Sequence, residues 1–289
     1  MYPPSPGSMA SATLDPVRSA LPPLLLLVAA CRSTSVAPEP TASPAPPPAS
    51  PPAAAAPREV PVYTPEVIAR YPHDPQAFTQ GLEFRGERLY ESTGLYGHSS
   101  LRVVESATGR VLRQREVPRE FFAEGITVFD GRIYQLTYTS QRCFVYDAET
   151  LAPLREHAYA GEGWGLTHDD RSLIMSDGSN QLRFIDPSSF AELRRVRVFD
   201  GDRAVDQLNE LEYVDGEVYA NVWHADRIAR IDPASGRVVG WIDLSSLRRM
   251  VDAGDSEAVL NGIALAPATR HLFVTGKLWP TMFEIRLRR

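Results

Sequence analysis

The sequence predicts an all-β fold, a five-bladed β-propeller whose ring is closed by an N-terminal strand in the last blade, and three observations carry that expectation. The first is a short motif that recurs five times: Gln80-Gly81-Leu82, Glu124-Gly125-Ile126, Trp164-Gly165-Leu166, Asn209-Glu210-Leu211 and Asn261-Gly262-Ile263. The second is its spacing. The middle residues stand at 81, 125, 165, 210 and 262, and the intervals of 44, 40, 45 and 52 residues suit propeller blades rather than single strands. The third is that an alternating run follows each copy at a similar offset, at residues 88–92, 132–136, 172–176, 217–221 and 271–275, so a unit of structure repeats as well as a tripeptide.

The chain ahead of the repeats reads as a leader and a tether. Arg18 precedes the apolar run Leu24-Leu25-Leu26-Leu27, which ends in Val28-Ala29-Ala30-Cys31, a short hydrophobic stretch followed by small residues and a cysteine. Residues 1–31 are therefore expected to be a signal peptide. Its end resembles the lipobox of bacterial lipoproteins, which implies cleavage before Cys31, lipidation of that cysteine and attachment to a membrane surface of the cell envelope. A plain secretory signal releasing the protein to the periplasm, or an unprocessed apolar tail, is the alternative. Residues 32–59 are dominated by Pro, Ala, Ser and Thr, which bury too little apolar area to fold and suit an extended linker. The propeller domain is expected over 60–289. The only other cysteine, Cys143, lies in the apolar run Cys143-Phe144-Val145-Tyr146 and reads as a buried structural thiol. A net charge of −6 without a basic, aromatic-interleaved cluster argues against nucleic acid as a partner. No run after residue 31 is long and apolar enough to cross a bilayer.

Within the repeats, the second blade gives the pattern. Residues 125–129 form a first strand, Asp130-Gly131 a two-residue hairpin turn, and 132–138, 143–147 and 154–159 three further strands. The first blade repeats this with 101–105, the turn 106–109 and 111–117, and in the third and fourth Asp186-Pro187 and Asp232-Pro233 open the corresponding turns. The fifth blade lacks one strand, because only 281–287 follows 271–275. Residues 66–71 precede the first repeat without a partner, and pairing them as the outer strand of the fifth blade closes the ring. The long interval before Asn261 is expected to hold a surface helix with Asp243 or Ser245 as N-cap and 247–251 as its body.

In such a ring the first strand of each blade is entered from the face to which the loop after the second strand returns. One mouth is then surrounded by Gln80, Glu124, Trp164, Asn209 and Asn261, and by the loop residues Glu91-Ser92-Thr93, Tyr138-Thr139, Ser176-Asp177, Asn221-Val222-Trp223 and Lys277-Leu278-Trp279. Aromatic walls with a few aimed polar groups suit a small-molecule site. Each residue also has a plainer role: polar groups at strand entries cap backbone around a wet channel, and tryptophans pack between blades. Glu124 and Lys277 weigh against that for the set, since they break an otherwise neutral repeat at one mouth. The histidines show no pair at metal-ligand spacing, so neither a metal site nor a cofactor is expected. The acidic run Asp252, Asp255, Glu257 reads as a solvated loop.

Taken in order, Phe78-Thr79-Gln80-Gly81-Leu82, Glu124-Gly125-Ile126-Thr127, Gly163-Trp164-Gly165-Leu166-Thr167, Leu208-Asn209-Glu210-Leu211-Glu212, Asn221-Val222-Trp223, Leu260-Asn261-Gly262-Ile263-Ala264 and Thr275-Gly276-Lys277-Leu278-Trp279-Pro280 resemble the plant-type glutaminyl-peptide cyclotransferases, or glutaminyl cyclases. The resemblance covers about residues 65–287 and touches every blade. It implies a five-bladed propeller that converts the N-terminal glutamine of peptides or proteins to pyroglutamate with release of ammonia. It places the essential acid at Glu124, polar contacts at Gln80, Asn209 and Lys277, and walls at Phe78, Trp164 and Trp223. Asn209 and Lys277 are the donors expected at the developing oxyanion, and Asn261 completes the substrate-binding set. Tyr138 stands where the family usually has Trp, which changes that wall's stacking area. A monomer without nucleic-acid partners is expected. Two other classes stay open: a non-catalytic envelope scaffold, and a propeller lactonase, which needs a cation held by several carboxylates where this channel offers one, Glu124.

Overall fold

The computed structural model shows strands that follow the repeats of the sequence in order. The structure describes residues 59–251 and 254–289; Cys31, the expected leader and the linker up to residue 58 lie outside the described residues. The first element is β1 (Val62–Pro72). Three units follow: β2 (Thr79–Arg85), β3 (Arg88–Thr93), β4 (Ser100–Glu105) and β5 (Arg110–Glu116); β6 (Ala123–Phe129), β7 (Arg132–Thr137), β8 (Arg142–Asp147) and β9 (Pro153–Ala158); and β10 (Leu166–His168), β11 (Leu173–Met175), β12 (Gln181–Ile185) and β13 (Glu192–Arg197). A small hairpin, β14 (Phe199–Asp200) with β15 (Arg203–Ala204), leads into β16 (Leu208–Val214), β17 (Glu217–Val222), β18 (Arg227–Ile231) and β19 (Val238–Asp243). The short helix α1 (Ser245–Arg248) and then β20 (Leu260–Leu265), β21 (Leu272–Gly276) and β22 (Thr281–Arg288) complete the chain.

This is an all-β fold. Three units are separate four-stranded antiparallel sheets, while β16–β19 and β20–β22 with β1 are joined into one eight-stranded sheet. The join is β1 itself. It pairs antiparallel with β22 from Thr64 to Pro72 and parallel with β19 only through Val62 and Tyr63. The N-terminal strand thus supplies the outer strand of the last unit, as expected; its parallel contact with β19 has no signal in the sequence. Glu66 on β1 fixes the pairing by accepting from Arg286 and Arg288 on β22. The first strands touch in cyclic order, β2 to β6, β6 to β10, β10 to β16, β16 to β20 and β20 back to β2.

Burial separates inner strands from edge strands in the first three units. β3 and β7 are buried along nearly their whole length, whereas β5, β9 and β13 are exposed at almost every position. Apolar layers lie between successive sheets: Tyr90, Leu101 and Val103 of the first unit pack on Ile126, Val128, Ile133 and Tyr146 of the second. The edge strands β5, β9 and β13 are rich in arginine and glutamate, and these charged side chains guard the sheet edges.

Turn chemistry matches the residues. Phe129 pairs with Arg132 across Asp130 and Gly131, both at positive φ (48° and 73°), the mirror-image turn that suits strand twist. Asp147, Asp186 and Asp232 each open a β-turn by accepting backbone N–H groups two or three residues on. The helix differs from expectation. It spans Ser245–Arg248, its N-cap is Leu244, and no side chain caps it. Asp243 lies one residue too early and spends its carboxylate on the Ser245 N–H at 2.9 Å. Cys143 is fully buried, and burial pushes its thiol up.

Candidate active site

The motif that marks each repeat works through a defect in strand pairing. On β2, Thr79 pairs with Thr93 and Gly81 with Ser92; on β6, Ala123 pairs with Thr137 and Ile126 with Gln135. β16 and β20 slip in the same way between Leu208 and Leu211 and between Leu260 and Ile263. Gln80, Glu124, Asn209 and Asn261 therefore all sit in β-bulges, where a side chain is re-aimed out of the sheet's alternation. In the third unit β10 begins only after Trp164 and Gly165, and the Gly165 N–H is taken by the Ser176 hydroxyl at 2.7 Å.

The glycine that follows has a steric reason. A Cβ on Gly125 would stand 2.6 Å from the Leu166 nitrogen and the Trp164 oxygen, and one on Gly165 would overlap the Asn209 carbonyl. Neighbouring first strands approach too closely there for any side chain. The fourth copy carries Glu210 at this position instead. Its carboxylate reaches both ways, accepting the Leu82 N–H at 3.1 Å and the Ile263 N–H at 2.8 Å. Glu83 and Glu212 do likewise for Val128 and Leu265. The expectation of a single channel carboxylate is thus corrected: the first strands bury Glu83, Glu210 and Glu212 besides Glu124, and these three serve the seams between units. Among the described residues no group of three or more His, Cys, Asp or Glu side chains could hold a metal ion.

The second expected ring is also corrected. Ser92 and Ser176 donate to the carbonyls of Glu124 and Asn209 in neighbouring units, and Asn221 accepts the Gly262 N–H, so these residues bind sheets together. Glu91 takes hydrogen bonds from the His73 imidazole and the Thr79 hydroxyl, and Thr93 is bonded to Ser100. Trp279 is no wall. It is fully buried with Phe283 in the core of the last unit, and its indole N–H goes to Ala258. Gly276 makes room for this packing, because a Cβ there would stand 2.4 Å from the Trp279 ring.

What remains forms one neighbourhood. Lys277, fully buried, lies 4.7 Å from the ring centre of Phe78. Phe78 stacks edge-on to Phe122, and Phe122 to Tyr138. Trp164 meets Trp223 edge-on at 5.6 Å. Asn261 donates to the Gln80 side-chain oxygen at 3.2 Å. Glu124 feels Lys277, and the Tyr138 phenol feels Glu124. Among the ring residues several buried atoms lack a hydrogen-bond partner: Gln80 Nε2, Glu124 Oε1, both side-chain atoms of Asn209 and Asn261 Oδ1. Buried polar atoms in native proteins are almost always paired, so a cluster of unpaired ones marks a place for a polar ligand. Burial pushes the Glu124 carboxyl well above its usual range, opposed by Lys277 and reinforced by Glu162, while burial lowers the Lys277 ammonium to about 8 against the pull of Glu124 and Glu257.

Phe122 and Glu162 belong to this neighbourhood without a signal in the repeat. Phe122 stands two residues ahead of Glu124, and Glu162 two ahead of Trp164; a search for chemistry-bearing residues flanking the ring positions finds both.

The family model described as glutamine cyclotransferase matches residues 39–287. A glutaminyl-peptide cyclotransferase of Arabidopsis thaliana is 44% identical over 230 residues, which cover 78% of this chain and 71% of the relative. Among solved structures, the glutaminyl cyclase of Myxococcus xanthus aligns with a TM-score of 0.76 at 40% identity, covering 79% of this chain and 98% of that one.

Proposed function

This chain belongs to the glutamine cyclotransferase family, and we propose that it converts N-terminal glutamine of peptides and proteins to pyroglutamate, with Glu124 as general acid and base. The carrying observation is the group of unpaired buried amides around a carboxyl that burial raises well above its usual range. The five four-stranded units with cyclically touching first strands are read as the blades of a five-bladed β-propeller, and the site as its mouth.

In the reaction the substrate's α-nitrogen bonds to its own γ-carbonyl carbon and the bond to the γ-nitrogen breaks, closing a five-membered lactam and releasing ammonia. Both reacting groups belong to one residue. The site therefore has to hold a near-attack conformer rather than bring two molecules together. Glu124 takes the proton from the α-nitrogen and returns it to the leaving nitrogen, an exchange favoured by a carboxyl raised toward the working pH. Asn209 Nδ2 and the Lys277 ammonium donate to the oxygen that gains charge in the transition state. Gln80 and Asn261, already joined to each other, offer a free donor and a free acceptor for the substrate amide. Phe78, Tyr138, Trp164 and Trp223 form the walls.

The test is direct. A Gln-initiated peptide incubated with the protein should lose about 17 Da, the mass of the ammonia expelled. An unchanged mass under conditions where the protein is folded sinks the reading.

The N-terminal assignments rest on the sequence. Residues 1–31 are read as a lipoprotein signal, Cys31 as the lipidated residue, and 32–59 as a tether that holds a monomeric domain near a membrane surface of the cell envelope. Cys31→Ser should move the protein from the membrane fraction to the soluble one; equal partitioning of both forms contradicts the anchor.

A further inference from the structure

The loop between β9 and β10 holds an acid that the reaction above leaves without a task. Glu162 is half-buried, and its Oε2 accepts the Trp164 indole N–H at 3.0 Å. The Tyr138 phenol hydrogen-bonds to the same carboxylate. One side chain thus ties together two aromatic walls that come from different units.

Locking two walls needs only an acceptor, and a backbone carbonyl or a Gln side chain would serve. A full negative charge at this position acts on Glu124, whose carboxyl is raised first by burial and further by Glu162. A carboxylate held at Glu162 favours a cation beside it. The substrate brings such a cation. An N-terminal amine carries its proton over most of the neutral range, with an ordinary pKa of roughly 7.7–8.0. A carboxylate has about four lone-pair directions, so the bonds to Trp164 and Tyr138 leave acceptor capacity on Glu162. The walls themselves are electron-rich faces that also attract an ammonium group.

We propose that Glu162 is a substrate-binding residue that takes the α-ammonium of the N-terminal residue, holding it beside Tyr138 and Trp164 while the side-chain amide reaches the unpaired amides around Glu124. No covalent bond changes in this step, and the bound ammonium gives its extra proton to solvent before the neutral amine attacks; the contact sets which end of the substrate enters first and which N-termini are accepted. The proposal rests on the cyclisation reading but can be tested apart from it.

The probe is an Ala-initiated tripeptide, which carries the ammonium but no γ-amide, compared with its N-acetylated form. Both are titrated by calorimetry against the full chain, and as inhibitors of Gln-peptide turnover. The wild type should prefer the free amine by about tenfold or more, as expected for a charge-assisted contact in a partly dry site. Glu162→Gln, which keeps an acceptor for Trp164, should bring the two probes to near-equal affinity. It should also raise KM by a similar factor with kcat little changed.

A second readout is the acid limb of the kcat/KM profile. The charged and titratable groups facing Glu124 are Lys277, Glu162, Tyr138 and Tyr159. Removing the Glu162 charge should move that limb to lower pH. Glu162→Asp keeps the charge and should keep the preference for the free amine. A preference that survives in Glu162→Gln, or that is lost equally in the Asp and Gln variants, overturns the proposal. If no peptide is cyclised, the reading of the reaction fails, and the calorimetric comparison still decides the role of Glu162.

Discussion

Glu124 and Lys277 share one buried neighbourhood and respond to it in opposite directions. Each is pushed toward its neutral form by burial, and each holds the other back toward its charged form. Glu124→Gln keeps size and hydrogen bonding while removing the proton shuttle, and such groups typically contribute about a hundredfold to ten-thousandfold in rate. Turnover of a Gln-initiated peptide should fall by that order with the thermal midpoint nearly unchanged. The wild-type rate should be bell-shaped in pH. Its acid limb should lie above the usual carboxylate range, and an alkaline limb near 8 is expected from Lys277. Lys277→Arg retains a cation that does not titrate there, so the alkaline limb should move away even where the rate is lower. Stability has its own sign. The unfolded chain keeps the Lys277 proton up to 10.5 while the folded one releases it at about 8, so this residue's contribution to stability rises with pH between those values. If Glu124 instead only braces Lys277, Glu124→Gln will lower the thermal midpoint together with activity. A double substitution would then recover both.

At the scale of the strand, the repeat dipeptide encodes a bulge and a close approach together. The bulge frees one side chain from the sheet, and the small second residue lets the next first strand come near. Gly165→Ala tests this directly, because its Cβ would meet the Asn209 carbonyl, which is backbone and cannot swing away. Overpacking of this kind costs about 1–3 kcal/mol. Thermal melts should fall by the corresponding amount, and turnover should fall as well, since the displaced strand carries Asn209. An alanine variant with an unchanged melt would mean the strands have slack there. The same dipeptide explains what could be read in advance. Ring positions, hairpin turns and the orphan N-terminal strand each carry a residue pattern that local chemistry demands, as with Asp130-Gly131. The seam carboxylates did not, because Glu83, Glu210 and Glu212 bond to backbone of sheets remote in sequence. Trp279 misled for a related reason: its partner, the Ala258 carbonyl, lies in a loop with no periodic pattern.

At the scale of the molecule, closure depends on a strand that enters the last sheet from the other end of the chain. β22 has β21 on one side and β1 on the other, and the β1 side includes the Glu66 pairs with Arg286 and Arg288. β1 also makes the only backbone pairing between the β16–β19 sheet and the β20–β22 strands among the described residues. A chain beginning at residue 60 keeps all of this. It should be soluble, melt cooperatively and cyclise a Gln-initiated peptide at the rate of the full chain. A chain beginning at residue 73 removes β1 alone. It exposes the edge of β22, an open row of backbone donors and acceptors that invites association. It also removes Val67 and so uncovers the cluster containing Phe283 and Ile285 on which that residue packs. The shorter chain should aggregate or melt far below the longer one, and addition of a synthetic peptide spanning residues 60–73 should restore part of its activity. Equal melts and equal rates for the two chains would show that the last unit stands without its N-terminal strand, and the ring would then be closed by first-strand contacts alone.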